Sequence, residues 1–252
     1  MDIFIYLAVA GFLFAIYWFV IRKPKAKTVK DIPIADALNP AWFEELPTAS
    51  RAIWKLKDKN TQPSGTVECV AYSTQEMLES PPFNVSGVPS TGELFREIAD
   101  YDKQENSKGL TYMGGMEYLK KHKHVSDYFN FSSRQQMVDF VKSYGTFQLM
   151  ITLTENPRFK DGFWIGNEGR FAGNHSMVVY GCDTEIECPS APAVLDDESG
   201  GVMFPAIAKS KGAFRVRWHI DFFGDGFIEG WFSFALADEI FIREWAFGYE
   251  LK

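Results

Sequence analysis

The sequence predicts an α+β domain, a helical half followed by an antiparallel sheet half, preceded by one N-terminal transmembrane helix. Three observations carry that expectation. Residues 3–21 form an unbroken apolar run. Helical periodicity dominates from Cys69 to Tyr144, and strand-like runs dominate after Phe147. Helices first and strands later is the order of an α+β protein, not of an alternating α/β one. The 252 residues suffice for one sizeable core and are marginal for two domains.

The first element is the run Ile3 to Ile21, IFIYLAVAGFLFAIYWFVI. At about 1.5 Å per residue it comes close to the ~30 Å of a bilayer core. Tyr17 and Trp18 sit near its end, where amphipathic rings favour the membrane interface. A cleaved signal peptide would need a positive segment before the run and a small-x-small site after it, and neither is present. Arg22, Lys23, Lys25, Lys27 and Lys30 follow the run, whereas Asp2 precedes it. Basic flanks stay cytoplasmic. The expected topology is therefore N-terminus out, with the domain on the cytoplasmic or equivalent side of a cellular, organellar or virion membrane. The expected layout is an anchor over 1–22, a basic, proline-containing tether over 23–45 and a domain over 46–252. Ala41, Trp42 and Phe43 form an apolar patch that could dock on that domain.

Within the domain, helices are expected over 69–79, 91–101, 113–121 and 133–144, the last capped by Ser132 or Ser133 and ended by Gly145. Strands are expected over 147–153, 176–181, 214–218 and 230–234. Residues 184–212, rich in Glu, Asp, Ser, Pro, Gly and Ala, read as a long exposed loop.

Composition removes several classes. A net charge of -7 argues against a nucleic-acid partner, which needs a basic footprint. Three cysteines, Cys69, Cys182 and Cys188, are no disulfide framework. No Cys/His spacing matches a zinc site, and no phosphate-binding glycine loop occurs.

Two residues stand out chemically. Cys69 lies where the loop QPSGTVE meets a helix start. A helix N-terminus favours the thiolate, although a small buried cysteine would fit the same place. Four histidines could supply a base: His122 and His124 fall in the basic run KKHKH and His219 ends the strand FRVRW. His175 follows Ala172-Gly173-Asn174 and opens the apolar strand SMVVYG, a position suited to acid–base work or to a satisfied buried imidazole.

Several segments together resemble papain-like cysteine peptidases, in the divergent form found in bacteria, phages and large DNA viruses. CVAYS resembles the CWAFS run that holds the family's nucleophile. NHSMVVYGCD is similar to the NHAVxxVGYD segment around its histidine. SRQQMVDFVKSYGTFQLMITL is similar to the intervening helix and strand. FRVRWHIDFFGDGFIEGWFSF resembles the end of the domain, where a strand leads to NSWG and then WGxxGY. The likeness covers roughly residues 45–235. It implies a two-lobed fold in which Cys69 is the nucleophile and His175 the base. Gln62 would be an oxyanion donor. The activity implied is peptide-bond hydrolysis through a thioester on a protein or peptide substrate, with no metal or cofactor.

The sequence also departs from that pattern. Gln62 lies one residue further from the cysteine than is usual. Val67-Glu68 replaces the Gly-Ser or Gly-Thr before the nucleophile, and WHID stands where the family has NSWG. The asparagine position falls near Trp218 or His219, which leaves Asp221 as the nearest carboxylate to orient His175. The rival expectation is a catalytically degenerate papain-like scaffold at a membrane or in a virion, with membrane or virion proteins as partners. A third is an unrelated thiol hydrolase, transglutaminase-like or a cell-wall amidase. Gln62 and the GDGF ending favour the papain-like reading over it.

Overall fold

A computed structural model describes residues 39–57, 61–63, 65–102, 109–191, 193–195, 202–204 and 206–252. The apolar run, the basic cluster and most of the tether lie outside the described residues. Among the described residues no helix is long and apolar enough to cross a membrane.

A 3₁₀ turn, Pro40–Trp42, opens the described chain, with Asn39 accepting from the Ala41 N–H. Phe43 is buried against Trp54, their ring centroids 4.4 Å apart, so the packed body begins ahead of residue 46. Strand β1 (Arg51–Ile53) follows, then helix α1 (Cys69–Glu79). Eight of the eleven α1 residues are buried, polar ones included, so this helix runs through the middle of the molecule. Helices α2 (Thr91–Asp102) and α3 (Tyr112–Lys121) pack beside it through Leu94, Ile98, Met116 and Leu119. Strand β2 (Val125–Asn130) leads to α4 (Arg134–Ser143), whose Ser133 cap accepts from the Gln136 N–H.

The second half is sheet. Strands β3 (Phe147–Lys160) and β4 (Phe163–Cys188) form one long hairpin. Asp161 and Gly162 close it, both at positive φ. That is the backbone a tight two-residue hairpin turn requires and an Asp-Gly pair supplies. Two short strands, β5 (Val194–Leu195) and β6 (Val202–Phe204), pair with each other. Then come β7 (Ser210–Arg217), β8 (Glu229–Ser233), helix α5 (Phe234–Ile240) and β9 (Phe241–Leu251). The main sheet runs β2-β9-β3-β4-β7-β8, with β1 added to β4. Its pairings are antiparallel apart from a short parallel contact between β4 and β8.

The sequence expectation for 184–212 needs correction. β4 continues to Cys188 and pairs Glu187 with Lys211 and Cys188 with Ser210. Ala191 and Ile207 bridge each other and are buried. Polar composition marks a loop only where the apolar partners of alternate residues are also missing, and here Cys188 and Ala213 supply them.

Candidate active site

Cys69 is the first residue of α1, so backbone N–H groups without helical partners lie around it. Glu68 occupies the cap position and makes no side-chain capping bond. Burial raises the Cys69 thiol pKa; the backbone N–H groups of Ser176, Val70 and Cys69 itself act in the opposite direction. The Ser176 contact is informative, because Ser176 directly follows His175 on β4.

The junction of α1 with β4 is tied by uncharged groups. Ser73 donates to the Cys69 carbonyl (2.8 Å), and its hydroxyl lies 2.7 Å from that of Ser176. Gln148 on β3 donates to Ser73 (3.1 Å) and to Thr74 (2.9 Å). All four residues are fully buried. The helix that starts at Cys69 is thereby held on the two strands that present His175.

His175 is 2% exposed and pairs with Ile151 across the β3–β4 hairpin. Its Nε2 lies 2.6 Å from the Trp218 carbonyl oxygen. A carbonyl only accepts, so Nε2 carries the proton and, in the neutral ring, Nδ1 carries the lone pair. Burial pushes His175 down to about 4; the Trp218 carbonyl opposes this and the neighbouring His219 adds to it. Around neutral pH the ring is an uncharged base with one fixed tautomer.

The Trp218 carbonyl is itself held in an unusual turn. It also accepts the Ile220 N–H at 2.8 Å, and His219 between them has φ 63°. An i to i+2 bond around a positive-φ residue is the rare, strained form of γ-turn. Gln62 donates its N–H to the His219 carbonyl at 2.8 Å. The Trp218 indole donates to the Phe227 carbonyl (3.2 Å) and packs among Phe159, Trp164 and Phe227.

The structure places the other expected site residues differently. Gln62 is buried beside the turn, but its side-chain N–H groups both go to Thr66, to the carbonyl at 2.9 Å and to the hydroxyl at 3.1 Å. Its Oε1 is buried without a hydrogen-bond partner. In this arrangement Gln62 offers no free donor to an oxyanion. Asp221 does not orient His175. Its carboxylate accepts the N–H groups of Phe223 (3.3 Å), Gly224 (2.7 Å), Asp225 (3.2 Å) and Gly226 (2.9 Å). Those bonds, Gly226 first, hold its pKa below the usual carboxylate value. Its role is to shape the 221–227 loop, and a main-chain carbonyl takes the position expected for a side chain.

An ionic cluster that the sequence does not announce lies under the turn. Arg217 lies 2.8 Å from Glu76 of α1, and its Nη2 and Nε reach Glu229 at 2.7 and 2.9 Å. The signal available was a glutamate at a core position of α1. Among the described residues, no group of three or more His, Cys, Asp or Glu side chains is arranged to hold a metal ion.

No family model matches the sequence, and no curated protein matches it. Solved structures do. A clostridial cysteine protease, Cwp84, after propeptide cleavage, superposes with a TM-score of 0.53 at 12% identity, over 77% of this chain and 55% of that one. The chain thus spans about half the length of that protein. Bromelain from Ananas comosus, solved with the E64 inhibitor, gives 0.49 at 13% identity over 81% of this chain and 100% of the other. Xylellain, a cysteine protease from Xylella fastidiosa, gives 0.49 at 10% over 91% and 98%. Identities this low speak to fold alone. The chain has a mixed α+β fold similar to that of papain-like cysteine proteases.

Proposed function

We propose that this chain is a papain-like cysteine protease, tethered to a membrane through residues 3–21, that hydrolyses peptide bonds in protein or peptide substrates. The observation that carries this reading is the junction of α1 with β4. The Ser176 N–H faces the Cys69 sulfur, and the preceding residue, His175, is held as its Nε2–H tautomer by the Trp218 carbonyl.

The site's electrostatics suggest a neutral resting pair. The thiol is raised and the imidazole lowered, so proton transfer accompanies attack instead of preceding it. His175 Nδ1 takes the thiol proton as the sulfur–carbon bond forms. The oxyanion is stabilised by backbone N–H groups at the α1 start. Collapse breaks the carbon–nitrogen bond, and the imidazolium returns its proton to the leaving amine. Water then cleaves the thioester with His175 as base, releasing the carboxylic acid and restoring the thiol.

The test is mass-spectrometric labelling of the full chain, in detergent, with an epoxide-type thiol-protease probe near pH 7. Selective modification of Cys69 that is lost in His175→Ala supports the reading. Cys69 reacting no faster than the buried Cys182 and Cys188 would sink it. The tether is tested separately by protease digestion of sealed vesicles; cleavage of the domain from the non-cytoplasmic face refutes the orientation.

A second reading is a catalytically degenerate scaffold at a membrane. It is favoured by the Gln62 amide being occupied by Thr66. Full biological function retained by Cys69→Ala would select it.

A further inference from the structure

Resting on the proposed catalytic pair, we infer that Glu76 is a positioning residue: through Arg217 it holds the γ-turn that aims the Trp218 carbonyl at His175. The turn is the least comfortable piece of backbone in the site. A histidine at positive φ is uncommon. Such outliers persist only where the surroundings over-determine them.

Glu76 supplies part of that over-determination through Arg217. It lies seven residues after Cys69 on α1, two helical turns along the same face. Its Oε2 is 2.8 Å from Arg217 Nη1 and 3.6 Å from His219 Nε2. Arg217 and His219 are the two chain neighbours of Trp218. One carboxylate therefore contacts both residues flanking the peptide whose oxygen orients the base. Arg217 is fixed further by Glu229 and by the Lys57 carbonyl at 3.2 Å, and Ser80 donates to Glu76 Oε1 at 3.3 Å. His219 has no hydrogen-bond partner on either ring nitrogen, and Glu76 Oε2 lies beside its Nε2 at 3.6 Å, outside hydrogen-bond distance. The helix that begins with the nucleophile also carries the group that sets the geometry of the base, and the two are mechanically one element.

The experiment is ring-nitrogen NMR of the full chain with 15N-labelled histidine, run beside epoxide labelling of Cys69. Two variants are used: Glu76→Gln, and the triple variant Glu76→Gln/Arg217→Met/Glu229→Gln, which removes the charges of the whole cluster together. The expected result is a cooperatively folded variant in which His175 no longer holds a single Nε2–H tautomer. Cys69 labelling should then fall about tenfold or more, the scale on which small misplacements of catalytic groups act. A folded variant with the His175 tautomer and Cys69 labelling unchanged overturns the inference. Failure of both variants to fold overturns it as well, since the cluster would then serve the core and not the turn. If the wild-type chain is not labelled at all, the protease reading fails, but the tautomer spectrum still decides the role of Glu76.

Discussion

Two buried polar clusters flank the candidate site, and they are built from opposite materials. Under Cys69 the cluster is neutral: Ser73, Thr74, Gln148 and Ser176, all hydroxyl or amide. Under Trp218 it is ionic: buried Glu76 and Arg217 with the partly exposed Glu229, and His219 at its edge. The neutral cluster places no counter-charge near the sulfur, which leaves burial to dominate and keeps the thiol protonated. The ionic cluster fixes a strained turn, a task for which fork-shaped, charge-assisted bonds are better suited. Cys69 is thus held by shape and hydroxyls, and the carbonyl that faces His175 by charge.

The comparison can be broken first at its ionic side. Arg217→Ala leaves the buried Glu76 carboxylate without the cation it faces at 2.8 Å. Denaturant unfolding should show a loss of about 3–5 kcal/mol, the usual cost of breaking a buried pair. A loss comparable to an ordinary surface substitution would show that the cluster is solvated.

Acid should act next, through the base. His175 is depressed from about 6.5 unfolded to about 4 folded, so between those values the unfolded chain binds more protons. Stability is fully present above the unfolded pKa and is lost as pH falls towards 4, by about 3 kcal/mol from this residue. His219 is lowered too, chiefly by burial, and adds in the same direction. Unfolding curves at a series of pH values check this. A His175→Gln variant should flatten the dependence, and an unchanged slope would remove His175 as its source.

The neutral side should respond least among the buried groups. Ser73→Ala leaves the Ser176 hydroxyl without its Ser73 partner and removes one of the two Gln148 donations, for about 1–3 kcal/mol. Ser73→Ala/Ser176→Ala should be less destabilising than the sum of its parts. Strict additivity in a double-mutant cycle would mean that the 2.7 Å contact couples nothing. Smallest of all, Asp221→Asn should loosen the 221–227 loop to limited proteolysis while leaving Cys69 labelling unchanged. A collapse of labelling would restore Asp221 to the catalytic set.

Much of this arrangement was legible in the chain. α4 reads well because its ends carry local signals, the Ser133 cap and Gly145 among them. The β3–β4 hairpin read only as far as Leu153 and from Ser176. Between them the apolar residues are interrupted by bulges near Thr154 and Arg158, which breaks the alternation. The Asp161-Gly162 turn was the signal that could have joined the two halves. Cys69 and His175 stood out because each side chain has distinctive chemistry in a distinctive place. The orienter did not, because every residue carries a carbonyl and only the φ of His219 tells this one where to point. The occupation of Gln62 was likewise hidden, since it depends on how Thr66, four residues on, folds back towards it.

The most direct test of the central claim is the rate of Cys69 alkylation by a small, non-site-directed reagent as a function of pH. A neutral resting pair predicts a rate that keeps rising through and above neutrality, following a thiol pushed up by burial. A rate already at its plateau from about pH 4 to 8 would reveal a preformed thiolate–imidazolium pair and contradict the account.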